Sequence, residues 1–222
     1  MQQVRVKICG ITSVADACAA AQAGADAIGL NFVSGPRMID TVRGDGIVEA
    51  LPVFCTAVAL VDLSDAPRAE TVLDFARRHR VSCLQVYGTG GSDRVARLRT
   101  EGFRVLMACP VRSDELAKTV TDLLAGTATQ PDAVVVDAHH PHLSGGTGRS
   151  LDWGVVGEAI RRHRQWPPII LAGGLTADNV ADAVRLARPY GVDVSSGVES
   201  APGQKDSQQM VRFVQRAGDA RG

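Results

Sequence analysis

The sequence lacks a surplus of charge: 24 Lys and Arg residues are matched by 24 Asp and Glu. Such a balance leaves no electrostatic footprint for nucleic acid or an anionic membrane surface, so neither is expected as a partner. No apolar run approaches the ~20 residues that cross a bilayer. The chain opens directly on a β-branched segment, without the apolar stretch and cleavage pattern of a secretion signal. Its five cysteines, Cys9, Cys18, Cys55, Cys83 and Cys109, are odd in number, widely spaced and free of any Cys-x-x-Cys pair. That argues against a disulfide framework and a structural zinc site, and fits a reduced, cytoplasmic protein. A Walker-type lysine pattern is also missing, which argues against a nucleoside triphosphate ligand.

What is present is alternation. Short β-branched runs, VRVKIC from Val4, DAIGLNF from Asp26, FCTAVALV from Phe54, SCLQVY from Ser82, FRVLMAC from Phe103, DAVVVDA from Asp132, PIILAGG from Pro168 and VDVSSG from Val192, are each followed by a helical segment rich in Ala, Arg and Leu, the last of them QKDSQQMVRFVQRAG from Gln204. Strands apolar on both faces belong to a parallel sheet covered by helices. Eight such units without a composition break predict one closed (β/α)8 TIM barrel domain spanning residues 1–222, with a doubly wound open sheet as the rival arrangement. GITSVADACAAAQAG from Gly10 is echoed by GLTADNVADAVRLARP from Gly174, which suggests one βα unit used twice.

In a barrel of this kind the chemistry sits where strands give way to their loops. Those positions hold Cys9, Arg37, Asp62, Gln85 with Tyr87, and Asp137. Glycine-rich stretches follow strands six, seven and eight: SGGTGRS with Gly146 and Gly148, AGG with Gly173 and Gly174, and SSGVES with Ser196 and Gly197. Glycine lets backbone N–H groups approach an anion, and these loops commonly bind phosphate in this fold, so a small phosphorylated ligand is expected. Tight turns alone would also explain each stretch.

Asp137 ends the apolar run AVVV, where partial burial favours a protonated carboxyl able to act as an acid near neutrality. Cys9 faces the same mouth. It is either a small core residue or a thiol displayed for chemistry. Lys7, two residues earlier, shares its strand face and is either a substrate contact or a structural partner inside the barrel. His139, His140 and His142 lie on one loop and converge poorly on a single ion, so no metal is expected. Trp153 and Trp166 fit helix packing, and RRHRQ fits a solvated face.

These residues carry a resemblance. KICGIT from Lys7, GPR at 35–37, DA at 137–138, GGTGRSLDW at 145–153, LAGGLTADNV at 171–180 and DVSSGVESAPGQKD at 193–206 resemble the phosphoribosylanthranilate isomerase family of tryptophan biosynthesis, in the family's order and across nearly the whole chain. The resemblance implies a cofactor-free (β/α)8 barrel that performs an Amadori rearrangement. It implies Cys9 as general base, Asp137 as general acid and Arg37 as the contact for the anthranilate carboxylate. Lys7, Gln85 and Tyr87 join Arg37 as expected substrate contacts.

The chain departs from the family pattern at three places. The loop after strand two, FVSGPR, is one residue shorter and lacks a lysine. Tyr87 stands where the family writes histidine, and strand three ends in Asp62. Two alternatives remain beside the isomerase: a relative acting on another phosphoribosyl-amine, as in the histidine pathway, and a non-catalytic phosphate-binding barrel. Cys9 favours the first reading over the histidine-pathway one, whose family places aspartate there. Monomer and homodimer are equally compatible with the sequence.

Overall fold

The computed structural model describes residues 3–88, 92–138 and 151–220. Eight parallel strands form a closed barrel: β1 (Arg5–Cys9), β2 (Ala27–Asn31), β3 (Thr56–Asp62), β4 (Cys83–Tyr87), β5 (Arg104–Pro110), β6 (Ala133–Asp137), β7 (Ile169–Ala172) and β8 (Gly191–Val194). Each pairs with its neighbour, and β8 returns to β1 with Lys7 opposite Asp193. The helices alternate with them: α1 (Val14–Gln22), α2 (Thr41–Glu49), α3 (Ala66–Arg78), α4 (Ser92–Thr100), α5 (Leu116–Ala125), α6 (Trp153–Arg162), α7 (Val180–Ala187) and α8 (Ser207–Asp219).

Local sequence explains where helices begin. Ser13, Asp40, Asp65, Asp152 and Asp206 each accept a hydrogen bond from a backbone N–H of the first turn of the helix that follows. A side-chain oxygen there satisfies a donor that the helix itself leaves unpaired. The echo between the two βα units is real in the backbone: Gly10 and Gly174 both open their Gly-x-Thr turns in the left-handed region, at φ +72° and +69°.

Two cores result from the alternation of side chains along each strand. Between strands and helices lie Ile8, Ile28, Leu30, Leu84, Phe75, Phe213 and Met210, all fully buried. Inside the barrel the residues are smaller or polar, with Cys9, Val58 and Leu60 on one side and Ala133, Val135, Ile170 and Ala172 on the other.

Boundaries differ from the sequence expectation at three places. β3 starts at Thr56 rather than Phe54, because ladder pairing with β2 begins at Ala27 opposite Thr56. Val53 and Phe54 stand in the preceding turn, 95% and 96% exposed. β8 stops at Val194, and a 3-10 turn, Ser196–Val198, replaces its expected end. Gln204 and Lys205, expected in the last helix, instead pair with Glu199–Ala201 as β10 (Gln204–Lys205) and β9 (Glu199–Ala201), a short antiparallel hairpin. Asp206 then caps α8. No helix among the described residues is long and apolar enough to cross a membrane.

α6 and α7 cross closely because Gly157 has no side chain: a Cβ there would stand 2.3 Å from the Leu186 carbonyl oxygen. Overpacking of this kind costs about 1–3 kcal/mol. Gly157→Ala should lower the melting temperature by several degrees, with turnover per folded molecule unchanged, as read by calorimetry beside an activity assay.

Candidate active site

The stagger of the barrel ladder stacks the inward side chains in tiers. Carrying the observed register round the barrel places Asn31, Tyr87, Asp137 and Ser195 in the tier at the C-terminal mouth. Cys9 lies one tier below with Leu60, Ala108 and Ala172, and Gln85 and Asp193 lie beneath it with Gly29 and Val135.

The thiol owes its place to Gly29. A Cβ at that position would stand 2.6 Å from Cys9 Sγ, so the missing side chain is the space the sulfur occupies. The strand end is fixed from the other side by Ser195, whose Oγ donates to the Cys9 carbonyl oxygen at 3.0 Å. Lys7 Nζ binds Asp193 Oδ2 at 2.7 Å, with both side chains buried. Burial pulls the Lys7 amine down, but the Asp193 carboxylate more than offsets this and holds the lysine protonated. Burial pushes the Cys9 thiol above its ordinary value, Asp193 adds to the rise, and Lys7 and Lys205 pull against it.

Tyr87 links the tiers. Its hydroxyl accepts a hydrogen bond from Gln85 Nε2 at 2.9 Å. Burial raises its pKa, and it feels the charges of Cys9, Lys7, Asp193 and Asp137 together. By the ladder register the Asp137 carboxyl stands in the mouth tier with Tyr87, and the Cys9 thiol one tier below. Asp137 is half-buried at the end of β6. Gly173 gives it room, since a Cβ there would come within 2.7 Å of Asp137 Oδ1.

The β7 and β8 loops meet backbone to backbone. Gly173 and Gly174 are successive left-handed residues, a conformation glycine adopts without strain. A Cβ on Gly197 would stand 1.9 Å from the Leu175 carbonyl oxygen, so only glycine permits the contact. Asn179 secures the β7 turn, accepting from Thr176 N at 2.8 Å and donating to Gly174 O at 2.9 Å.

A family model described as N-(5′-phosphoribosyl)anthranilate (PRA) isomerase matches residues 6–216. The chain belongs to that family. It is 42% identical over 219 residues to the N-(5′-phosphoribosyl)anthranilate isomerase of Trichlorobacter lovleyi, covering 98% of this chain and 99% of the relative. The enzyme of Geobacter sulfurreducens is 40% identical over 218 residues, covering 96% and 98%. Among solved structures, phosphoribosyl anthranilate isomerase from Thermotoga maritima superposes with a TM-score of 0.78 at 29% identity, covering 96% and 98%. Another phosphoribosyl anthranilate isomerase, solved with reduced 1-(o-carboxyphenylamino)-1-deoxyribulose 5-phosphate, gives a TM-score of 0.75 at 28% identity, covering 96% and 98%.

Against this family frame, the expected site residues sort by place. Cys9, Gln85, Tyr87 and Asp137 share the mouth and the tiers beneath it, and Gly173, Gly174, Ser196 and Gly197 form its adjoining β7 and β8 loops. Lys7 lies deeper, with its amine committed to Asp193. Arg37 reaches the rim and is gripped by Glu199. Asp62 folds back on its own turn, accepting from Ser64 N at 2.9 Å and Ser64 Oγ at 2.6 Å. Gly146, Gly148 and the three loop histidines lie outside the described residues. Asp193, Glu199 and Lys205 were not singled out from sequence. Their only signal was a charged residue in strand eight and two more in the stretch after it, which local patterns do not separate from surface charge.

Two outcomes test this arrangement. Lys7→Met leaves Asp193 buried and unpaired and should cost about 3–5 kcal/mol of stability in urea unfolding, whereas Lys7→Met with Asp193→Leu should recover most of it. Gly29→Ala should displace the sulfur and lower kcat at least about tenfold while the protein remains folded, measured by steady-state kinetics beside circular dichroism.

Proposed function

We propose that the barrel mouth isomerises N-(5′-phosphoribosyl)anthranilate to 1-(2-carboxyphenylamino)-1-deoxyribulose 5-phosphate in tryptophan biosynthesis, by acid–base catalysis from Asp137 and Cys9. The observation that carries this is the tiering of the barrel, which puts Asp137 and Tyr87 at the mouth with Cys9 one tier below, in a chain that the family model matches from residue 6 to 216. Asp137 gives a proton to the ribose ring oxygen, the bond from that oxygen to C1′ breaks, and a Schiff base forms. Cys9, as thiolate, takes the proton from C2′, giving an enolamine. A proton returns to C1′ and one leaves the C2′ hydroxyl, so the ketone forms with no net change in protons or electrons. Holding the sugar between two such groups supplies the orientation that acid–base pairs require.

The other roles follow from place. Gly173, Gly174, Ser196 and Gly197 hold the phosphate, Arg37 holds the anthranilate carboxylate, and Gln85 orients Tyr87 toward the sugar. Lys7 acts through the thiol, whose ionised form it favours. The cytoplasm, where thiols stay reduced, suits a working Cys9.

Loss of the fluorescence of phosphoribosylanthranilate is the direct assay, with the histidine-pathway substrate run beside it. Turnover of the first but not the second supports the proposal, and the reverse overturns it. Cys9→Ser and Asp137→Ala should each lower kcat by about a hundredfold or more, and near-normal turnover would remove that residue from the mechanism. Because the resting thiol is raised, kcat/KM should climb with pH through the alkaline range as the thiolate fraction grows. A profile already flat at neutral pH would contradict that role.

A further inference from the structure

The rim of the site holds a charge cluster that the mechanism above leaves unused. Glu199, at the start of the hairpin after β8, has a side chain 4% exposed, and Lys205 on the facing strand has one that is 0% exposed. Glu199 Oε1 accepts from Arg37 Nε at 2.7 Å and from Lys205 Nζ at 2.8 Å, and Oε2 accepts from Arg37 Nη2 at 2.7 Å. Lys205 Nζ also donates to Ser195 O at 3.0 Å, and Ser195 Oγ donates to the Cys9 carbonyl. The cluster is thus tied to the strand end that carries the thiol. Arg37 is packed against the same place, for a Cβ on Gly10 would stand 2.6 Å from Arg37 Cδ.

Geometry and charge then point the same way. A guanidinium is a planar fork with five N–H donors. Glu199 occupies its side edge, Nε with Nη2, which leaves the end edge, Nη1 with Nη2, free of Glu199 and matched to a second carboxylate in bidentate form. Two cations share one anion, so the cluster keeps one positive charge without a counter-charge of its own. The Arg37 side chain also packs on Gly10, the residue after Cys9, which places it beside the end of the strand that carries the thiol.

We propose that Glu199, secured by Lys205, is a positioning residue that aims the end edge of Arg37 at the carboxylate on the substrate's aromatic ring, with the cluster's single uncompensated positive charge matching that one negative group. This rests on the isomerase reading and adds to it the device that orients Arg37. It makes a prediction opposite in sign to simple electrostatics. By charge alone, removing the Glu199 carboxylate would tighten the binding of an anion. By aim, it loosens binding, because the guanidinium is released.

The test measures affinity by calorimetry for two probes: reduced 1-(o-carboxyphenylamino)-1-deoxyribulose 5-phosphate and its counterpart made from aniline, which lacks the carboxyl group. Glu199→Gln should weaken the first about tenfold and leave the second within about twofold, so that the preference of wild type for the carboxylated probe shrinks. With substrate, KM should rise while kcat stays within about threefold. Tighter or unchanged binding of the carboxylated probe overturns the proposal, as does equal weakening of both probes, which marks a merely structural loss. If Glu199→Gln does not fold, Glu199→Asp keeps the charge but shortens the arm. It should show the same selective loss, and wild-type affinity in it overturns the proposal. Failure of wild type to bind either probe or turn over phosphoribosylanthranilate instead overturns the isomerase reading itself.

Discussion

The ion pair between Lys7 and Asp193 lies on the seam where the last strand closes on the first. The two residues are partners in the β1–β8 ladder as well as in charge, 2.7 Å apart and sealed from water. Two buried charges are tolerated only as a pair, so the pair favours one register of closure over its neighbours. Register in turn decides which side chains face the barrel axis. Through it Cys9 is set one tier above Asp193, and Ser195 comes within reach of the Cys9 carbonyl. Slippage of one residue at this seam would turn the thiol toward the helices.

The same pair sets the electrical surroundings of the thiol. Burial and the Asp193 carboxylate oppose ionisation, while Lys7 and Lys205 favour it. The sulfur is therefore guarded as a neutral thiol at rest yet sits beside two cations able to support a thiolate. Such a balance suits the role proposed for Cys9, a base that must lose its proton and take one from carbon without becoming a general nucleophile. Burial pushes Cys55, Cys83 and Cys109 up as well, each to about 11. Lys7 pulls against the rise at Cys83 as it does at Cys9, and burial raises Cys109.

The departures from the family pattern lie at the ends of β2, β3 and β4, whereas Cys9, Asp137 and the loops after β7 and β8 keep the expected residues. The shortened loop after β2 is held by Asn31, which donates from Nδ2 to Ser34 O at 2.8 Å and accepts at Oδ1 from Val33 N at 2.9 Å. Arg37 follows that turn and pairs with Glu199 at 2.7 Å. At the end of β4, Tyr87 carries a hydroxyl rather than an imidazole, and Gln85 fixes it from below. The ends of β2 and β4 thus depart from the expected pattern, while Cys9, Asp137 and the glycines after β7 keep it.

Much of this was legible in the sequence, and for local reasons. Strand and helix alternation follows from β-branched runs and Ala-, Arg- and Leu-rich segments, and Cys9, Arg37 and Asp137 stand out as candidates because they end or follow strands. Phe54 and the Gln204–Lys205 pair were assigned to the wrong elements because an apolar or polar residue at an element's edge takes its state from ladder pairing and turns, which single-residue pattern does not encode. The tertiary structure alone decided that Lys7 belongs to Asp193, 186 residues away, and that Arg37 belongs to Glu199, 162 residues away. Contacts over such separations depend on closure of the barrel and on the stagger of its strands, quantities that exist only once the whole chain has folded.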